Sequence, residues 1–72
     1  TLVGNSREIR LLSELIESQE NLRGYISEST TLSEAEKEQR IRSSDEMIGV
    51  YKSHQETLIA ENHDIMMRNF WD

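Results

Sequence analysis

Two histidines and nine serines are the residues of this 72-residue chain whose side chains could do chemistry. A metal pair on a helix needs ligands three or four residues apart on one face. His54 has Val50 and Leu58 at those distances, and His63 has Ile59 and Met67. None of these suits a hard or borderline metal, so both histidines read as solvated side chains, with no metal and no cofactor expected. The serines lack a glycine-flanked nucleophile turn and a base with its orienting group. They read as helix caps and surface residues. Ser33, Ser43 and Ser53 each precede a glutamate by three positions, a spacing that a kinase preferring acidic sites could use. No residue is assigned a catalytic role, and the chain is expected not to be an enzyme.

The elements that carry these residues follow from composition and spacing. Proline is absent and glycine occurs three times, which favours long helices. Residues 1–5 read as a frayed lead-in, with Asn5 or Ser6 as the cap of a first helix over about 7–28. On it Ile9, Leu11, Leu12, Leu15, Ile16, Leu22, Tyr25 and Ile26 fall on one broad face. A hydroxyl-rich turn follows at 29–33. Ser33 through Glu36 spells a capping box for a second helix over about 34–70. Gly49 sits inside that helix, away from its apolar seam. The chain is therefore expected to be a single all-α domain over 1–72, a coiled-coil-like antiparallel hairpin with a longer second helix. The chain opens on Thr1 rather than Met, as a piece of a longer protein would.

The heptad-like spacing fixes a register. The second helix repeats every three or four residues through Ile41, Ser44, Ile48, Tyr51, Gln55, Leu58, Asn62, Ile65 and Asn69. The first helix carries Leu12, Leu15, Gln19, Leu22 and Ile26 at the same spacing. Laid antiparallel, Leu12 meets Tyr51, Leu15 meets Ile48, Gln19 meets Ser44, Leu22 meets Ile41, and Ile26 meets the stem of Lys37. The one polar layer then pairs polar with polar. Helix one runs out near Leu58, which leaves an overhang of roughly 20 Å at the helical rise per residue. Leu58, Ile59, Asn62, Ile65, Met66, Met67, Phe70 and Trp71 are the candidate interface there. Exposed apolar area is costly at ~25 cal/mol per Å², so a cover is expected. A second copy, giving a four-helix bundle, comes first, then another protein's groove. A membrane surface comes last, since no basic polar face accompanies the apolar one.

Two local likenesses lie on the second helix. Ser44-Asp45-Glu46-Met47-Ile48 resembles the Ser-Gln-Glu-Leu-Asp motif of small sporulation aspartyl-phosphate phosphatases. Ser44 and Glu46 match, but the final acid is missing, so no catalytic role carries over. Residues 45–51 are similar to a helix of ubiquitin-binding GAT domains, which have a third helix that this chain lacks. Neither likeness is adopted.

Charge narrows the partners. The net charge is −6, with three arginines against seven glutamates in residues 1–36 and five basic against seven acidic groups in 37–72. An acidic chain repels phosphate backbones, so nucleic acid is not expected as a partner. The absence of cysteine fits a reducing compartment, and the cytoplasm is the expected location. No apolar run approaches a membrane span, and no membrane is expected as a partner. The expected function is that of a self-associating, non-enzymatic hairpin that binds another protein as an adaptor, assembly or regulatory factor. The alternative is an acidic inhibitor of antitoxin type, which would neutralise a basic enzyme or nucleic-acid-binding protein through Glu14, Glu17, Glu20 and Glu28.

Overall fold

The computed structural model describes residues 1–71, with side chains through Asn69. It is an antiparallel hairpin of two helices: α1 over Leu2–Glu28 and α2 over Glu34–Trp71, 27 and 38 residues long. At about 1.5 Å per residue α2 alone spans ~57 Å, and the hairpin measures 59 × 15 × 11 Å.

Helix α1 starts about a turn and a half earlier than the lead-in reading implies. Thr1 is its cap: the Gly4 backbone N–H donates to Thr1 Oγ1 at 3.0 Å, and Asn5 N–H donates to the Thr1 carbonyl at 2.8 Å. A β-carbon at Gly4 would itself lie 3.0 Å from Thr1 Oγ1, so glycine leaves the capping hydroxyl room. Asn5 and Ser6 are thus helical rather than caps. Asn5 is instead buried, at a position that faces α2.

The turn closes through hydroxyls, as its composition suggests. Ser29 leaves the helix with an extended backbone, and its N–H donates to the Ile26 carbonyl. The Thr31 N–H then donates to Ser29 Oγ at 3.3 Å. Ser33 caps α2, accepting from the Glu36 N–H at 3.2 Å. Glu34 and Glu36 occupy the first turn of α2, where the helix dipole favours acids. The i,i+3 pair Lys37–Glu34 and the i,i+4 pair Arg42–Glu38 add surface support worth a few tenths of a kcal/mol each, at most. Gly49 touches nothing that a β-carbon would disturb, so it is tolerated rather than required for a contact.

The core is one layer thick. Leu12, Ile16, Ile26, Ile48 and Leu58 are its buried apolar members, and no described side chain falls below 2 % exposure. On α2 the covered positions Lys37, Ile41, Ser44, Ile48, Tyr51, Gln55, Leu58, Asn62 and Ile65 keep the expected three–four spacing, while Asn69 is exposed.

On α1 the inward row differs from the expected one. Leu15 is 45 % exposed and Leu22 46 %, whereas Ile16 is 9 % exposed and Arg23 is half-buried. The inward row is Leu2, Asn5, Ile9, Leu12, Ile16, Gln19, Arg23 and Ile26, an unbroken three–four series. Stepped back by sevens, Ile16 and Arg23 lead to Ile9 and Leu2, which are half-buried, whereas Leu15 and Leu22 lead to Glu8 and Thr1, which are exposed. The expected layers Leu15–Ile48 and Leu22–Ile41 are therefore replaced, with Ile16 and Arg23 turned inward.

Candidate functional site

The polar contacts between the helices fix how the two faces meet. Ser44 Oγ donates to Gln19 Oε1 at 2.9 Å, with the Gln19 carbonyl at 3.2 Å, which is the polar pairing expected from spacing. Gln55 Nε2 donates to the Ile9 carbonyl at 3.0 Å and to Ser13 Oγ at 2.8 Å. An exposed contact of 3.1 Å joins His54 Nε2 to Glu8 Oε1. Arg23 Nε lies 3.1 Å from Asp45 Oδ1, but its N–H does not point at the carboxylate, so the contact is an ion pair without a formed hydrogen bond.

These contacts define two unlike flanks. Glu8, Leu15 and Leu22 share one row of α1, and Met47 and His54 share one row of α2, each at seven-residue spacing. The Glu8–His54 contact, and a groove lined by both Leu22 and Met47, put the two rows on the same side. One row further out lie Leu11 and Tyr25 on α1 and Val50 on α2. All of Leu11, Leu15, Leu22, Tyr25, Met47 and Val50 are exposed. The opposite flank carries Ser13, Glu20 and Ser27 against Glu38, Asp45 and Lys52, all exposed and polar. From the turn to about Lys52 one side of the hairpin is thus polar and the other carries exposed apolar side chains, while beyond Lys52 the polar row of α2 continues into the exposed Ile59 and Met66.

The residues expected to form an interface at the far end of α2 divide. Leu58 is 6 % exposed and is already covered inside the hairpin. Asn62 and Ile65 are half-buried. The early start of α1 is the cause: its first turns cover a stretch that the lead-in reading leaves bare. Ile59, Met66 and Met67 are exposed. The side chains of Phe70 and Trp71 lie outside the described residues. At this end two polar atoms are buried without a partner, the donor Asn5 Nδ2 and the acceptor Asn62 Oδ1. Each costs about 1–3 kcal/mol of lost solvation.

The sequence spacing sets Leu15 and Leu22 in the inward row and leaves Leu11 and Tyr25 beside it on one broad face of α1. The signal that separates all four from the observed inward row is their own spacing, since 11, 15, 18, 22 and 25 form a second three–four series one residue out of step.

His54 meets one carboxylate, and among the described residues no three His, Asp or Glu side chains converge on a metal-sized site. Ser44 is buried and bonded to Gln19, and its neighbour Glu46 is exposed. Among the described residues, no helix is long and apolar enough to cross a membrane. No protein-family model, curated protein or solved structure matches the chain.

Proposed function

We propose that this chain is a non-enzymatic assembly module, a helical hairpin that self-associates as a dimer into a four-helix bundle. In that form it serves another protein as an adaptor or regulator. The observation that carries the reading is the uncovered flank of Leu11, Leu15 and Leu22 with Met47 and Val50. Among the described residues the two-helix core has five buried apolar side chains, none fully enclosed, which is thin for a chain of this length. A second hairpin laid on that flank would thicken it to the two layers that helical domains use. The exposed end of α2 at Ile59, Met66 and Met67 stays at the tip, free for the heterologous partner. Neither nucleic acid nor a membrane belongs to this reading, which rests there on the acidic surface, and the cysteine-free composition supports a cytoplasmic setting.

Sedimentation equilibrium of the whole chain tests it. A dimer at micromolar concentration is the expected result. A folded monomer up to about 100 μM, a Kd weaker than roughly 5–6 kcal/mol of association, sinks the reading.

One observation favours a second reading. Glu14, Glu17, Glu20 and Glu28 are all exposed, and among the described residues none of them takes part in an ion pair. An acidic inhibitor of a basic protein would use such free carboxylates. Partner capture that collapses between low and physiological salt would favour it over the apolar flank.

A further inference from the structure

We infer that the second copy packs with its α1 antiparallel to the first copy's α1, along the outer stripe Leu11, Leu15, Ser18, Leu22 and Tyr25. This rests on the self-association just proposed and adds the geometry. Two features of the stripe choose it. The first is its own pattern. Read from either end it presents apolar residues around a small central serine, so an antiparallel copy lays Leu11 of one protomer beside Leu22 of the other, twice, about a two-fold axis near Leu15 and Ser18. The second is charge. Arg7, Glu14, Asn21 and Glu28 form the exposed row that borders the stripe. Antiparallel packing sets Arg7 against Glu28 of the other protomer at both ends, and Glu14 against Asn21. Parallel packing would instead hold Arg7 and Glu28 about 21 residues apart along the pair, ~30 Å, with no contact between them. Among the described residues, neither Arg7 nor Glu28 has an ion-pair partner within its own chain.

The chain contains no cysteine, so an introduced thiol is the only one present. Leu11→Cys and Leu22→Cys proteins, each checked for helical circular dichroism, are oxidised separately and as an equimolar mixture. Residues 11 and 22 are ~16 Å apart along one helix, well beyond disulfide reach. The expected result is a covalent dimer that forms at least about tenfold faster in the mixture than in either protein alone. Faster cross-linking of each protein with itself means parallel α1 helices and overturns the inference. A wild-type dimer whose mixture does not cross-link means another face is used; it overturns the inference and leaves self-association standing. A wild-type monomer by sedimentation overturns both. Should either cysteine variant fail to fold, the exposed charges decide. Glu28→Arg is expected to weaken the dimer about threefold to tenfold, and Arg7→Glu with Glu28→Arg to restore it. A dimer indifferent to both overturns the inference.

Discussion

Two stripes of α1 lie one residue apart, and the more hydrophobic of them is the one left outside. The outer stripe is Leu11, Leu15, Ser18, Leu22 and Tyr25; the inner one is Leu12, Ile16, Gln19, Arg23 and Ile26. The inner stripe includes an amide and a guanidinium, yet α2 supplies both with partners. Gln19 has the Ser44 hydroxyl, and Arg23 has the Asp45 carboxylate. Which row turns inward is therefore set by what the facing helix can match, and by continuity over the whole length of α1, not by a local count of leucines. The outer stripe keeps its leucines about half exposed.

The sharpest way to break the comparison is to shorten one residue in each stripe. Ile16→Ala removes one of five core side chains and is expected to lower unfolding free energy by about 2–4 kcal/mol, read from urea titration of helical circular dichroism. Leu15→Ala should cost the monomer under about 1 kcal/mol, since nearly half of Leu15 is already wet, while weakening the dimer. Equal losses from the two would mean that the stripes are not distinct. Asn5→Leu extends the apolar part of the inner row and removes a buried donor without a partner. It should raise the thermal midpoint, by an amount equivalent to ~1–2 kcal/mol. A fall in the midpoint would show that the amide is paired in solution. Ser44→Ala strips the hydroxyl from the inner polar contact and should cost about 1 kcal/mol in the same titration. Gly24→Ala lies on neither stripe, with open space around it. It should stabilise by ~0.5–1 kcal/mol through helix propensity alone, leaving the sedimentation profile untouched.

Much of this hairpin can be read in its residues. The α2 row, the hydroxyl turn, the Ser33 cap and the Gln19–Ser44 pairing all follow from spacing and side-chain chemistry, because each depends on neighbours within a few residues or on matching two periodic rows. The start of α1 does not. Gly4 and Asn5 look like a helix boundary locally, and it is the Thr1 cap together with the burial of Asn5 against α2 that carries the helix back to Thr1. The choice between Leu15 and Ile16 is equally hidden, since a broad apolar face is compatible with either row until the partner is in place. The interface residues near the end of α2 were inferred from a length mismatch, and five more helical residues in α1 shrink that mismatch. Leu58 thus passes from the overhang to the core.

Among the described residues, every long-range contact joins α1 to α2 across one short turn. Contacts near the turn close small loops, and those at the far end close nearly the whole chain, so ordering entropy favours zipping from Ser29–Ser33 outward. The far end is also where Asn5 and Asn62 hold their unpartnered amide atoms. Opening should accordingly begin there, grading amide hydrogen exchange along the hairpin from slow beside the turn to fast at the tips. A partner that grips the tip of α2 would meet the least committed part of the fold.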